Sequence, residues 1–341
     1  MTMDSLPYAW GGPIGRAVLK DRPEDFRVDE VLPESPAGEG EHLWLTVEKT
    51  GQNTAWLARQ LSRWANLPLR AVSYAGLKDR HAVTTQTFSL HLPGRADPVQ
   101  PLVIDGVRVL SQDRHPRKLK TGQLVGNRFT IRLRQFDGDA DALTERWHTL
   151  VEQGLPNYFG LQRFGSGGAN LERARQWFRG EAKLPRGQQS IHLSAVRSYL
   201  FNTLLARRVE DGTWNRLLPG DFAQFREGQG GFLCEQPGPD DLDRLADGRL
   251  SPTASLPGDR TGETTAIDDW ESTVLADEQE WLEGLSARRM QRARRKTRVY
   301  PEGGELSWDA GDPVFRFFLP AGSYATMALR EAVTLEEDRH P

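Results

Sequence analysis

Cysteine is almost absent from this chain of 341 residues, in which Cys234 is the single example. One thiol cannot form an internal disulfide, and no grouping of cysteine and histidine residues has the spacing of a zinc site. The sequence therefore gives no indication of an oxidising compartment or of a structural metal, and we expect the chemistry to require no metal ion.

Long hydrophobic runs are also missing, since no stretch approaches the ~20 apolar residues that a membrane-spanning helix needs. Residues 1–15 lack the basic start and the apolar run that a secretory signal would show. We therefore expect a protein without membrane segments that acts in the cytoplasm, and we expect it to be a monomer.

The common cofactor and catalytic motifs do not occur in this sequence. The glycine-rich segment 165–170 lacks the third glycine of the dinucleotide-binding pattern G-x-G-x-x-G. A phosphate-binding G-x-x-x-x-G-K-[ST] loop, an H-E-x-x-H zinc motif and the nucleophilic serine elbow of hydrolases are absent as well. The chemistry must therefore come from ordinary carboxylates, cations and aromatic side chains.

Charge is balanced overall but unevenly distributed along the chain. The net charge of −3 argues against a protein that coats nucleic acid by bulk attraction. However, residues 287–298 contain seven basic and no acidic residues, and a second basic region extends from Arg114 to Arg134. A single basic run is usually a solvated helix face, whereas two such regions favour a polyanionic partner, RNA or DNA.

Hydrophobic periodicity indicates a sheet-containing body interrupted by a helical section, and hence an α/β or α+β protein. The chain leaves the sheet pattern near residue 153 and returns to it near residue 302. Strands are predicted at about 42–48, 71–74, 87–92, 129–134 and 314–319. Helices are predicted from Thr54, over Ala140–Glu152, from Ser190 to near Gly212, over Asp277–Leu285 and over Ser286–Arg298.

The segment Tyr74–Thr84 contains the triplet Lys78-Asp79-Arg80 in a turn between two predicted strands. A carboxylate flanked by two cations at the end of a strand is a candidate catalytic group. The local pattern alone also fits a solvated charged turn, which is the commoner situation. The remaining motifs of the chain decide between these two interpretations.

Five motifs occur in this order along the chain: Pro23–Glu30, Gly76–Thr84, Gly126–Phe129, Asn157–Gly165 and Leu319–Thr326. Together they resemble the ordered signatures of the TruD family of tRNA pseudouridine synthases. The resemblance implies a pseudouridine synthase core with a central mixed, largely antiparallel sheet flanked by helices, formed by residues 1–152 and 303–341. It also implies an inserted α/β TRUD domain, residues 153–302, that completes an RNA-binding cleft.

The resemblance implies that uridine 13 of tRNA is isomerised to pseudouridine without a cofactor. Asp79 corresponds to the nucleophile, and Lys20 to the cation that pairs with it. The family's substrate pocket corresponds to Phe26, Asn127, Phe129 and Tyr324, where Tyr324 replaces an expected phenylalanine. Contacts to the RNA backbone are expected from Lys78, Arg80, Arg163, Arg292 and Arg295.

The proposed reaction requires the glycosidic bond to break while the uracil is retained, which a carboxylate near C1′ or C6 can arrange. The sequence does not choose between attack at C6, attack at C1′ and elimination through a glycal. Two other functions remain open. The first is a catalytically inactive tRNA-binding protein or chaperone, and the second is a lyase or isomerase that uses an acidic nucleophile on a small molecule.

Overall fold

The computed structural model describes residues 5–228, 230–260 and 264–337. Its described residues divide into two compact units. The sheet unit comprises residues 14–151, 301–322 and 332–337. The mixed unit comprises residues 5–13, 152–228, 230–260, 264–300 and 323–331.

The regular elements follow the chain in this order. The strands are β1 Gly15–Leu19, β2 Phe26–Val31, β3 His42–Thr50, β4 Val72–Tyr74, β5 Val83–His91, β6 Val107–His115, β7 Gly126–Gly138, β8 Leu155–Pro156, β9 Asp221–Phe225, β10 Gly231–Cys234, β11 Leu250–Ser251, β12 Thr253–Leu256, β13 Ala293–Lys296, β14 Arg298–Val299, β15 Glu302–Asp309, β16 Asp312–Pro320 and β17 Val333–Glu337. The helices are α1 Thr54–Trp64, α2 Ala140–Gln153, α3 Ala169–Phe178, α4 Arg186–Glu210, α5 Pro239–Ala246, α6 Ala266–Val274, α7 Gln279–Ser286 and α8 Ala325–Arg330.

One large sheet organises the sheet unit. Its main path is β15-β16-β7-β2-β5-β3-β6, while β1 pairs with β7 and β17, and β4 pairs with β5. The β2–β5 and β1–β17 pairings are parallel, and the others within this sheet are antiparallel. The prediction of a mixed, largely antiparallel sheet flanked by helices is therefore confirmed.

Helix α1 packs against β3 in a shared hydrophobic core. Its first turn is capped by the side chain of Asn53, whose Oδ1 accepts hydrogen bonds from the backbone N–H groups of Ala55 and Trp56 at 2.9 and 3.2 Å. The fully buried side chains of this core lie at a helical spacing in α1 and at every second position in β3. They include Leu43, Leu45, Val47, Leu57 and Leu61.

The mixed unit has its own hydrophobic core around α4. Val196, Leu200 and Leu204 of this helix are fully buried and belong to a cluster that also includes Phe159 and Trp281. Three small sheets accompany the helices, namely β10-β9-β11, β12-β13 and β14-β8. The unit can therefore bury apolar surface without the large sheet.

The predicted helix over Ser286–Arg298 is wrong. Helix α7 ends at Ser286, and Arg289 takes a left-handed backbone conformation with φ of 52° that does not continue a helix. The following residues form β13, which pairs with β12, and β14, which pairs with β8. Arg292 and Arg294 of this segment pair with the buried carboxylates of Asp268 and Glu271. A local charge pattern does not reveal such tertiary partners.

The glycine and proline content of residues 228–262 predicts surface loops with a short hairpin. Within this segment β10 pairs with β9, which precedes it in the chain, and the prediction missed helix α5. Pro239 at its first position and Asp240 and Asp241 in its first turn are sequence signals for a helix start. No helix in the described part of the chain is long and apolar enough to cross a membrane.

Candidate active site

The loop of residues 75–82 connects β4 to β5 and carries the Lys78-Asp79-Arg80 triplet. Buried polar side chains form hydrogen bonds with its backbone. Gln86 Nε2 donates to the Gly76 carbonyl oxygen at 2.6 Å, and Gln86 Oε1 accepts from Thr54 Oγ1 at 3.0 Å. Thr54 Oγ1 in turn accepts from the backbone N–H of Lys78 at 3.1 Å. These contacts fix the loop, which we call the catalytic loop, to β5 and to the start of α1.

Asp79 presents its carboxylate at the surface of the sheet unit and pairs with Lys20. Lys20 Nζ lies 2.7 Å from Asp79 Oδ2, and the two side chains are 23% and 45% exposed. The same ammonium lies 4.4 Å from the ring centroid of Phe26. An ion pair this accessible contributes about 1 kcal/mol or less to stability. Its evident consequence is an oriented carboxylate that solvent and a ligand can reach.

The backbone of Lys20 is strained in this position. It follows β1 directly and has a φ of 61°, in the left-handed region that side chains rarely adopt. Such a conformation costs on the order of 1–3 kcal/mol and persists only where the surroundings enforce it. The hydrogen bond to Asp79 and the contact with Phe26 are the interactions that this backbone geometry makes possible for Lys20.

Lys78 does not occupy the surface position expected for a phosphate contact. Its Nζ pairs with Glu30 Oε1 at 2.8 Å, and the two side chains are only 5% and 1% exposed. Glu30 Oε2 also accepts from the backbone N–H of Thr87 at 3.1 Å. We therefore correct the prediction for Lys78, because its charge is committed to a buried pair that anchors the catalytic loop. Arg80 is exposed, and its Nε donates to the Gly51 carbonyl at 3.1 Å.

A second buried lysine, Lys49, was missed by the sequence reasoning. It lies on the apolar face of β3 after Leu45 and Val47, and its Nζ donates to the carbonyl oxygens of Gln52 and Asp79 at 2.8 and 3.1 Å. Burial lowers the pKa of Lys49 to about 8. The signal was available, since the alternation of Leu43, Leu45 and Val47 continues to this lysine.

The predicted pocket residues of the sheet unit lie on neighbouring strands. Phe26 of β2 and Phe129 of β7 form an edge-to-face pair with centroids 6.2 Å apart, and they are 4% and 8% exposed. Asn127 pairs in register with Glu30 of β2. Its Oδ1 is buried and has no hydrogen-bond partner among the described residues. A buried acceptor without a partner costs free energy, as is common where a ligand is to bind.

The mixed unit builds its Asn157–Gly165 motif around Arg295. This guanidinium lies 4.1 Å from the ring centroid of Phe159 and donates to Asn157 Oδ1 at 2.5 Å. Tyr324 packs edge-to-face on Phe159 with centroids 6.0 Å apart, and burial raises the pKa of its hydroxyl. A Cβ atom at Gly160 would lie 2.9 Å from Tyr324 Cδ1, so this glycine permits the close approach. The assignment of Tyr324 to the substrate pocket stays a prediction.

The other arginines expected to contact RNA are also engaged within the mixed unit. Arg163 donates to Ser194 Oγ at 2.5 Å and to Ser198 Oγ at 3.2 Å. Arg292 pairs with Asp268 at 2.7 Å and is 19% exposed. Together with the internal contacts of Arg295, these interactions argue against the predicted phosphate contacts. The sequence pattern identified cations correctly but could not identify their internal partners.

Comparison with known proteins gives consistent matches over nearly the whole chain. The family model described as tRNA pseudouridine synthase D (TruD) matches residues 3–174 and 169–332. A tRNA pseudouridine synthase D of Ectopseudomonas mendocina is 47% identical over 337 residues, covering 96% of this chain and 94% of the relative. A protein of the same name from Hydrogenovibrio crunogenus is 42% identical and covers 97% and 96%.

A solved structure resembles the fold of this chain. It is the putative tRNA pseudouridine synthase D of Methanosarcina mazei, with a TM-score of 0.72, 23% sequence identity and coverage of 96% of this chain and 95% of the other. At this level of identity the likeness supports the architecture alone.

The buried Lys78–Glu30 pair generates a stability prediction. Glu30→Ala leaves the Lys78 ammonium buried without its partner, and we expect it to lower the free energy of unfolding by about 3–5 kcal/mol. Glu48→Ala is the matched control, because Glu48 pairs with the more exposed Arg27 and Arg108 and we expect a loss of about 1 kcal/mol. Urea denaturation measures both. Equal losses would contradict the importance that we assign to the buried pair.

Proposed function

The chain belongs to the tRNA pseudouridine synthase D family, and we propose that it isomerises uridine 13 of tRNA to pseudouridine with Asp79 as the nucleophile. The observation that carries this proposal is the exposed Asp79 carboxylate held 2.7 Å from the Lys20 ammonium. Hydrogen bonds to the Gly76 carbonyl and from the Lys78 N–H fix the backbone of the catalytic loop just before Asp79. The proposal requires no cofactor or metal.

The reaction needs a carboxylate that is ionised and accessible. The uracil leaves C1′ through N1 and reattaches through C5, so the enzyme must stabilise the detached base and the sugar until the new bond forms. Lys20 orients the carboxylate of Asp79, because its ammonium donates a hydrogen bond to Oδ2. The same arrangement serves attack at C6, attack at C1′ or elimination through a glycal, and the proposal does not depend on which occurs.

Recognition of a uridine in folded tRNA requires the base to leave its stack. We propose that Phe26 and Phe129 provide apolar faces beside the catalytic loop. The unused Oδ1 of Asn127 offers an acceptor for an N–H at the edge of the base, and the amide N–H₂ offers donors for its carbonyl oxygens. Because all three residues are largely buried in the free chain, binding on this proposal includes a local rearrangement.

For the phosphate backbone we propose a surface close to the catalytic loop in place of the arginines that have partners within the mixed unit. The segment 116–123 borders a groove of about 580 Å³. Arg117, Lys118 and Lys120 line this groove and are exposed, although Arg117 also pairs with Glu34. The Gly122 N–H donates to the Ala75 carbonyl at 2.7 Å, which ties this basic groove to the catalytic loop. Exposed cations at this point suit phosphate contacts that position an RNA.

The catalytic role of Asp79 is tested with tRNA labelled with tritium at C5 of uridine. The native protein should release tritium, because C5 becomes the glycosidic carbon and loses its hydrogen. Asp79→Asn keeps the size of the side chain but removes its charge, and we expect release to fall by at least about 1,000-fold while tRNA still binds. The surface variant Asp105→Asn is the control and should keep the native rate. Normal release by Asp79→Asn would exclude Asp79 as the nucleophile.

The same assay separates the proposal from its alternatives. A tRNA with cytidine at position 13 and label in its other uridines should release no tritium if that position is the target. Binding of tRNA without release by the native protein would favour an inactive tRNA-binding protein or chaperone. A native protein that neither binds nor modifies tRNA would favour a small-molecule enzyme.

The basic groove predicts a salt-dependent loss of affinity. We expect Lys118→Glu combined with Lys120→Glu to weaken tRNA binding by at least about tenfold at low salt, and the loss to shrink as salt rises. The slope of log K against log salt should fall by about 1 for each phosphate contact that is removed. Filter binding over a salt series measures both quantities.

Arg70→Glu serves as the control for this experiment, because Arg70 is exposed but lies before β4, at the end opposite the catalytic loop. A similar loss of affinity for the control and for the double variant would indicate a general effect of net charge. An unchanged affinity of the double variant at low salt would remove the groove from the RNA interface.

A further inference from the structure

We propose that Lys49 is a positioning residue for the reaction, an inference that rests on the proposed function. Lys49 holds the main chain of Asp79, while Lys20 holds its carboxylate. The two lysines contact different atoms of the same residue. Lys49 Nζ donates to the Asp79 carbonyl oxygen at 3.1 Å, whereas Lys20 Nζ contacts Oδ2 at 2.7 Å. The backbone and the side chain of Asp79 are thus fixed independently.

Burying the Lys49 ammonium costs free energy, and this cost indicates a specific role for the charge. Its side chain is 1% exposed on the face of β3 that otherwise carries Leu43, Leu45 and Val47. Burying an ammonium costs several kcal/mol, and an apolar residue there would extend the core at no such cost. Two carbonyl oxygens compensate the buried charge in part, and one of them belongs to Asp79 itself.

The second contact joins the catalytic loop to the chain segment before α1. Lys49 Nζ donates to the Gln52 carbonyl oxygen at 2.8 Å, just ahead of Asn53, the residue that caps α1. Helix α1 begins with Thr54, whose hydroxyl accepts from the Lys78 N–H. The main chain at positions 78 and 79 is therefore held by Lys49, near the end of β3, and by Thr54, at the start of α1.

The charge of Lys49 also acts on Asp79. The charged groups that influence Lys49 are the Asp79 carboxylate, which favours the ammonium, and Lys78, which disfavours it. The Lys78 charge is itself balanced by Glu30, and Glu48 on the adjacent β3 position pairs with Arg27 and Arg108. The Lys49 ammonium therefore lies in a balanced set of charges, and its direct contact with Asp79 is the hydrogen bond to the carbonyl oxygen.

The test is the substitution Lys49→Met, which keeps the length of the side chain but removes the charge and the N–H donors. We expect the single-turnover rate of tritium release to fall at least about tenfold, because misplacement of a catalytic group by a fraction of an ångström is enough for such a loss. The affinity for tRNA should stay within about twofold of native. A lower rate at native affinity is a combination that a merely structural role would not cause.

Lys183→Met is the matched control, because Lys183 is exposed and has no assigned role. A folded Lys49→Met protein with a native rate overturns the proposal. If this variant does not fold, Lys49→Gln, which keeps N–H donors but lacks the charge, takes its place, and failure of both to fold overturns the positioning role in favour of a purely structural one. No release by the native protein overturns the proposed function itself, and this inference with it.

Stability as a function of pH provides an independent check on the buried ammonium. The pKa of Lys49 is about 8 in the folded protein and 10.5 as its ordinary value, so the unfolded chain binds more protons between these limits. This group therefore raises the stability of the folded protein as pH increases from 8 to 10.5. Native protein should gain stability relative to Lys49→Met over this interval in parallel urea titrations. A constant difference would contradict a titrating buried lysine.

Discussion

The candidate site depends on one constraint, namely that charged and polar groups removed from water need partners. Beneath the catalytic loop, Lys49, Lys78 and Glu30 carry charges away from solvent, and each is paired with a carboxylate, an ammonium or a carbonyl oxygen. The loop is the place where these partners converge. Moving its backbone would leave several buried polar groups without hydrogen-bond partners at once. The summed free-energy cost of these lost contacts holds the loop in place more effectively than any single contact.

Two neighbouring residues of the loop lie in different environments. Lys78 points into the protein and Asp79 points out of it, so one residue anchors the loop and the next is exposed for chemistry. The basic surface near the loop comes instead from residues 117–120, which are far from residue 79 in sequence. On the proposed function, the cation that anchors the loop and the cations that attract RNA are therefore different residues, although a charge count treats them alike.

The sequence predicted the family, the sheet and the pairing of Lys20 with Asp79 from ordered motifs and from periodicity. It could not predict the partners of the remaining cations, because those lie far along the chain. Lys78 meets Glu30 across 48 positions, and Arg295 meets Asn157 across 138. Lys49 is the instructive exception, since extending the alternation of β3 by one step would have revealed a lysine on a buried face. Hydrophobic periodicity does not reveal which charged side chains pair in the folded protein.

The left-handed backbone at Lys20 has a consequence for protein engineering. A search for stabilising substitutions would select this position for glycine, since glycine adopts a φ of 61° without strain. The same exchange would delete the ammonium that orients Asp79. On the proposed function, relieving the backbone strain at position 20 would therefore remove activity. A thermostable version of this protein would have to obtain its stability from substitutions elsewhere.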